Sequence, residues 1–403
     1  MADGRLKVCI CGGGNGAHAL AGLAAAHAQF ESRVLTLYQD EASRWRKMMA
    51  DDGFVISIKK PEGGNDQIRV RPFHVTADAS EAVPVADVII IVVPAFTHHQ
   101  YLTAIKPHVK RGAVIIGLPG QPGFELQCLS VLQEKAGHCT ILSYESLPWA
   151  TRIAEFGKKV RHLGTKDALL GSIVKGDTTL SFDPVATLQS LLGGKPQLRL
   201  ASNFLETNLM TKAYVHPVMM HAKYKDWHGE PLTERPLFYQ GLTKEGASEL
   251  VAISDEVMAT AHAISRIRPD VKLENVEHLE PWIIRSYNHT IKDPTSLHMA
   301  MATNSAYDGL LDPMIEIAPG RWMPDFNHRY LQEDVPFGLA VLKGIAELAG
   351  VSTPVSDRVL KWCQQQMGLD LIVGSQLKGK DIYLTRSPQA FGYLTLNELL
   401  AEL

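Results

Sequence analysis

The sequence predicts an α/β N-terminal half built on a doubly wound, largely parallel sheet, followed by a mostly α-helical C-terminal half. Three observations predict it. Runs that are apolar on both faces alternate with helix-period stretches: KVCIC at 7–11, VLTLY at 34–38, ADVIIIVV at 86–93, GAVIIGL at 112–118 and CTILSY at 139–144. A parallel sheet covered by helices on each side reads this way. A glycine cluster, GGGNGA at 12–17, stands between the first run and an alanine-rich helix former. Beyond residue 200 strand-like runs become scarce and helical periodicity takes over.

In chain order, helices expected over 17–28, 41–50, 98–107 and 124–135 connect the apolar runs. DGFVISIKKPEGGNDQIRVRPF at 52–73 reads as a hairpin inserted into that rhythm, with GGN as its turn. KKVRHLG at 158–164 and TTLSFD at 178–183 read as extensions of the sheet. LLGGKPQLRLAS at 191–202 is a Gly/Pro break suited to a linker, which divides the chain into domains 1–198 and 199–403. The same break, at 193–196, motivates the expectation that the two domains close on their ligands. Past it, helices are expected over 202–223, 243–265, 275–291, 335–349, 353–367 and 394–402. Neither an internal repeat nor a low-complexity segment interrupts this plan.

At 403 residues the chain is long enough for two domains, and 45% hydrophobic with 21% charged residues is ordinary for a globular protein with a sizeable core. A net charge of −3 and the lack of any dense Lys/Arg run argue against a nucleic-acid partner. No uninterrupted apolar stretch reaches the roughly 18 residues of a membrane span. MADGRLKVCIC lacks the apolar core of a secretory leader, so a cytoplasmic protein without a membrane partner is expected. The cysteines, Cys9, Cys11, Cys128, Cys139 and Cys363, are odd in number and sit mostly in apolar surroundings. They read as reduced core thiols. Cys9 and Cys11 share one strand face with no second ligand pair following, so no metal site is expected.

The glycine cluster fits G-x-G-x-x-A, with Gly12 in a tight turn, Gly14 allowing close approach of a pyrophosphate, and Ala17 where helix meets strand. Asn15 and Gly16 add backbone N–H groups at the helix N-terminus. A strand before it, a helix after it and a second strand at βαβ spacing favour a dinucleotide over a purely steric turn. A P-loop is excluded, because the Gly-Lys-Ser/Thr ending is missing. At the end of the second strand Asp40 has two readings: a carboxylate for the adenosine ribose, which favours NAD over NADP, or the N-cap of the following helix. Pro94, after the run ADVIIIVV, stands where the nicotinamide half would cross the sheet edge, or is an ordinary loop proline.

Reduction of a carbonyl or imine needs a proton donor near the accepting atom and a cation for a substrate carboxylate. His216, in the apolar setting NLMTKAYVHPVMM, is a candidate acid/base group, and Pro217 beside it predicts a kinked helix; a satisfied core histidine is the competing reading. In PDFNHRYLQEDVP at 324–336, Arg329 supplies a cation and Asp334 a carboxylate able to orient a histidine. Spacing alone equally allows a surface arginine and a helix-capping aspartate there.

GGGNGAH at 12–18, VPAF at 93–96, GLPGQPGFE at 117–125, SYESLPWATRI at 143–153, YVHP at 214–217, PLFYQG at 236–241 and NHRYLQEDVP at 327–336 together resemble the opine dehydrogenases of invertebrates. The resemblance runs over essentially the whole chain. It implies a Rossmann domain joined to a helical opine dehydrogenase domain. It also implies reduction by NADH of the imine formed between pyruvate and the amino group of an amino acid, in the anaerobic glycolysis of a cytoplasmic, monomeric enzyme. By the same resemblance His216 and Asp334 are the catalytic pair and Arg329 holds the keto acid carboxylate. Gln121, Glu145, Met210 and Trp282 line the amino acid pocket. One departure stands out: Thr151 replaces a cysteine that follows the LPWA stretch in the octopine-forming enzymes, so arginine, alanine, glycine, β-alanine and taurine all stay open as the amine. A 2-hydroxy acid reductase on the same architecture and a non-catalytic NAD(H) sensor are the alternative readings.

Overall fold

A computed structural model describes residues 4–49, 52–59 and 64–403. The chain forms two compact units, Met1–Thr207 and Asn208–Leu403. In the first unit the strands are β1 (Leu6–Cys11), β2 (Phe30–Leu35), β3 (Phe54–Lys59), β4 (Asn65–Val70), β5 (His74–Thr76) and β6 (Val88–Ile91). They continue with β7 (Val114–Gly117), β8 (Thr140–Tyr144), β9 (Trp149–Glu155), β10 (Lys159–Thr165), β11 (Ala168–Val174) and β12 (Gln197–Leu200). Its helices are α1 (Asn15–Ala26), α2 (Glu41–Met49), α3 (Ala79–Ala82), α4 (Ala95–Ile105), α5 (Phe124–Leu132) and α6 (Pro184–Leu192).

Eight strands form one sheet in the order β12-β11-β8-β7-β6-β1-β2-β5, parallel throughout except for the β11–β8 pair. Leaving out the inserted hairpin, the run β5-β2-β1-β6-β7-β8 has the doubly wound order 3-2-1-4-5-6. Its strand order reverses between β1 and β6, and a ligand crevice belongs outside the carboxyl ends of those two strands. The period-2 alternation of the strands explains the two cores. Val8, Ile10, Val88, Ile90, Val114 and Ile116 face α1, while Cys9, Cys11, Ile89, Ile91 and Ile115 face α4 and α5. All five cysteines are buried, and none forms a disulfide.

Four further strands make a second sheet, β4-β3-β10-β9, against which α1 packs. The antiparallel β3–β4 pair is the hairpin expected over 52–73; Gly63 of its expected turn, like Ala50 at the expected end of α2, lies outside the described residues. Because α1 is enclosed between two sheets, it is built of small residues: Gly16, Ala17, Ala19, Ala21, Gly22 and Ala24 are all buried. A Cβ at Gly22 would meet Ile56 Cγ1 at 2.7 Å.

Several expectations need correction here. Residues 158–164 do not extend the main sheet; β10 pairs parallel with β3 in the second one. TTLSFD forms no strand and runs as a loop into α6. The stretch 191–202 is not a bare linker either, because Gln197–Leu200 adds a parallel edge strand beside β11. The segment expected as one helix over 202–223 is two, α7 (Phe204–Met210) and α8 (Val215–Tyr224), so Pro217 lies in a first turn and kinks nothing. A missing N–H is harmless there, since the first four have no intrahelical partner.

The second unit continues with α9 (Lys244–Ile267), α10 (Leu279–Ser286) and α11 (Leu297–Ala302), a hairpin β13 (Met314–Ala318) and β14 (Arg321–Pro324), then α12 (Arg329–Gln332). A π-helical turn over Val335–Leu339 leads into α13 (Ala340–Leu348), followed by α14 (Pro354–Met367), the short pair β15 (Ile372–Val373) and β16 (Gln376–Leu377), and α15 (Leu396–Leu400). Among the described residues no helix is long and apolar enough to cross a membrane.

One buried side chain ties the glycine loop to both layers around it. His18 on α1 stacks on Trp45 of α2 with ring centroids 3.6 Å apart. Its Nδ1 donates to the Gly14 carbonyl at 3.1 Å, so Nε2 accepts the Gly157 N–H at 3.2 Å. Burial lowers its pKa from 6.5 to about 4, so the folded protein holds it neutral. An unfolded chain binds that proton near pH 6.5, so stability from this group is lost as pH falls from about 6.5 to about 4. The expected outcome is a protein on the order of 2 kcal/mol less stable at pH 5 than at pH 7 through His18 alone. Urea unfolding at both pH values checks it: His18→Gln should show a shallower pH dependence than the unchanged protein, and equal slopes would refute the assignment.

Candidate active site

In the first unit expected cofactor residues, Gly12 and Pro94, and expected amino acid residues, Gln121 and Glu145, follow the carboxyl ends of adjacent strands. Gly12 follows β1, Pro94 follows β6, Gln121 follows β7 and Glu145 follows β8. Gly12 has φ +132, and a Cβ there would meet the Val92 carbonyl oxygen at 2.7 Å and Val93 Cγ1 at 2.8 Å, so only glycine fits. Gly14 caps α1 with no side-chain cap hydrogen bond, and nothing lies within 4 Å of where its Cβ would be. The N-terminus of α1 therefore offers the N–H groups of Asn15, Gly16 and Ala17 to an anion. Asn15 has a second task, since its Oδ1 accepts the Ile153 N–H at 2.7 Å and ties the loop to β9. Pro94 stands just before α4, where His98 Nε2 donates to the Val93 carbonyl at 2.8 Å and steadies the turn.

Of the two readings of Asp40, the side-chain cap is not the one seen. Its carboxylate is 68% exposed, with Arg44 4.0 Å away. The neighbouring Glu41 escaped the sequence reading and sits closer to the cradle. Its carboxylate accepts from Thr36 Oγ1 at 2.6 Å, and a Cβ at Gly13 would collide with it. Only its place one position beyond Asp40 marks it in the sequence; its contact with Gly13 does not show there.

Gln121 holds φ +63, a left-handed conformation that costs a non-glycine residue on the order of 1 kcal/mol. Glu145 is exposed, and one of its oxygens accepts the Leu170 N–H at 3.2 Å. Thr151 is buried in β9 opposite His162.

In the second unit two distant segments meet. His216 lies in the first turn of α8 and Asp334 precedes the π-helical turn, and His216 Nδ1 donates to Asp334 Oδ2 at 2.6 Å. A carboxylate only accepts, so the Nδ1 position carries the proton. The approach depends on Gly338, whose Cβ would run into Ala213 and meet the Ala213 carbonyl oxygen at 2.8 Å. Tyr330 stacks on the imidazole at 3.9 Å and 7°. Arg329, its neighbour, is exposed, and its guanidinium has no ion-pair or hydrogen-bond partner among the described residues.

The other ring nitrogen meets a residue that was not singled out. His216 Nε2 lies 2.6 Å from the Tyr239 hydroxyl. Tyr239 sits on a loop held by Lys223, which donates to the Leu237 carbonyl at 2.8 Å and pairs with buried Asp312 at 2.7 Å. A run of rings leads from it to Trp282, which the sequence resemblance places at the amino acid: Tyr239 stacks on Tyr307 at 4.3 Å, Tyr307 lies 5.3 Å from Tyr287, and Tyr287 6.4 Å from Trp282. Lys212 Nζ stands 5.9 Å over the Trp282 ring, and Met210 ends α7. An aromatic residue in a loop carries no spacing signal, which is why sequence reasoning passed over Tyr239.

Comparison with known proteins identifies the family. The family described as NAD/NADP octopine/nopaline dehydrogenase, alpha-helical domain, matches residues 200–367. An opine dehydrogenase of Haliotis discus hannai is 49% identical over 98% of each chain. A tauropine dehydrogenase of Arabella iricolor is 44% identical, covering 97% of this chain and 99% of its own. An octopine dehydrogenase solved with NADH and L-arginine superposes with a TM-score of 0.95 at 43% identity, covering 99% of this chain and 98% of that one. The chain belongs to the opine dehydrogenase family, NAD-dependent oxidoreductases acting on CH–NH donors.

Proposed function

We propose that this protein condenses pyruvate with the amino group of an amino acid in the cytoplasm and reduces the resulting imine to an opine, serving to regenerate NAD+ in anaerobic glycolysis. The observation that carries the reading is the His216–Asp334 pair at 2.6 Å, in the same unit as a cation, Arg329, that no carboxylate of the described residues occupies. We assign the first domain, 1–198, to the cofactor and the second, 199–403, to substrate chemistry. The enzyme acts as a monomer in this reading.

Arg329 holds the pyruvate carboxylate, for which a planar guanidinium offers a two-point grip. Asp334 fixes the imidazole tautomer and stabilises the imidazolium, leaving Nε2 to hydrogen-bond the keto oxygen and to handle the protons of condensation. Gly12, Gly14, Asn15, Gly16 and Ala17 receive the pyrophosphate of NAD, and Pro94 lines the nicotinamide half. When bound, the reduced cofactor supplies hydride to the former keto carbon. Glu41, with Asp40 beyond it, takes the adenosine ribose and repels a 2′-phosphate. Gln121, Glu145, Met210 and Trp282 are assigned to the amino acid. The relatives named above differ in amine, and Thr151 leaves the choice open here among arginine, alanine, glycine, β-alanine and taurine.

Three outcomes are expected. With pyruvate alone NADH oxidation should be negligible, and one of these five amino compounds should restore it; equal rates without any amine would mean a simple keto acid reductase. His216→Ala should lower kcat by roughly 10²–10⁴ while NADH affinity, read by fluorescence titration, stays within about twofold. Unchanged turnover in that variant would favour a sensor. Glu41→Ala should weaken NADH binding by about tenfold and Asp40→Ala by less, a ranking that the same titration reverses if Asp40 is the ribose ligand.

A further inference from the structure

Tyr239 has no task in that mechanism, although its hydroxyl stands at the one nitrogen of His216 that the substrate needs. We propose that Tyr239 is a second catalytic donor, whose hydroxyl shares the reacting oxygen of the keto acid with His216 Nε2. The inference rests on the role given to His216.

The geometry leaves little choice. Nδ1 is taken by Asp334, and Tyr330 covers one face of the ring at 3.9 Å. Nε2 is thus the only nitrogen a substrate oxygen can reach, and the Tyr239 hydroxyl stands 2.6 Å from it. Tyr239 cannot swing far away, because its ring lies on Tyr307 at 4.3 Å and the adjacent Phe238 N–H is bonded to the Leu310 carbonyl at 2.7 Å. An oxygen that takes the Nε2 proton therefore displaces the phenol from its partner. The half-buried phenol, which also hydrogen-bonds Tyr330, then loses its partner on His216, and the incoming oxygen, with two lone pairs, is the acceptor beside it. Burial, then the neighbouring Tyr330, raises the Tyr239 phenol well above its ordinary range, so it stays a donor at neutral pH.

The protons balance. As the amine nitrogen bonds to the carbonyl carbon, the π pair moves to oxygen, which takes the Nε2 proton of imidazolium. His216 next takes a proton from that nitrogen and returns it to the hydroxyl, the C–O bond breaks and water leaves, and the nitrogen lone pair closes the C=N bond. Tyr239 keeps its own proton throughout and donates a hydrogen bond to the oxygen while charge builds there.

The test measures single-turnover NADH oxidation with pyruvate and the best amino acid of the five. Tyr239→Phe should be slower by roughly 10²–10³, with NADH affinity and Tm unchanged. Replacing Tyr239 by 3-fluorotyrosine, of nearly the same shape but a stronger acid, should raise the rate by about twofold. The inference is overturned if Tyr239→Phe stays within about threefold of the unchanged enzyme, or if it is slow while the fluorinated enzyme matches the unchanged one, which marks a packing role. His216→Ala run in parallel separates the two claims: its full activity removes the parent reading, whereas its inactivity beside an active Tyr239→Phe removes this one alone.

Discussion

Everything in the second unit is arranged so that an imidazole and a carboxylate 118 residues apart can meet at 2.6 Å. The break over 211–214 ends α7 and lets α8 start at Val215, so His216 projects from a first turn rather than from the middle of a long helix. The π-helical turn after Asp334 comes up against that break, and Gly338 is the residue without a side chain at the point of contact. A methyl group there would push the two segments apart. Because the pair sits 21% and 14% exposed, its hydrogen bond is sheltered from water and holds one tautomer.

The first unit answers a different constraint, close approach of backbone to an anion. Gly12 lies on the Val92 carbonyl, Gly13 on the Glu41 carboxylate, and α1 behind them is small enough to be enclosed by two sheets. His18 then locks the loop by donating to the Gly14 carbonyl and accepting from Gly157. The cradle is thus held from behind, while the first N–H groups of α1 have no intrahelical partner.

What was legible in the sequence follows from which forces are local. The runs of the central sheet are apolar on both faces, so β1, β6, β7 and β8 announced themselves, and so did the glycine turn after β1. The strands that were misread are those with wet faces or distant partners. In β12 only Leu198 is partly covered, and β10 joins β3 across about a hundred residues, an association that no local pattern encodes. At the site, His216, Arg329 and Asp334 came from resemblance more than from spacing. Tyr239 and Glu41 were missed because their importance lies in a contact, with an imidazole nitrogen in one case and a glycine Cα in the other.

The account stands on His216 and Asp334 acting as one acid/base unit, and a double-mutant cycle on kcat tests that most directly. Asp334→Asn keeps the shape but favours the wrong tautomer, and His216→Ala removes the ring. If they form one unit, the double variant is no slower than His216→Ala alone. Losses that simply multiply would show two independent residues and contradict the account.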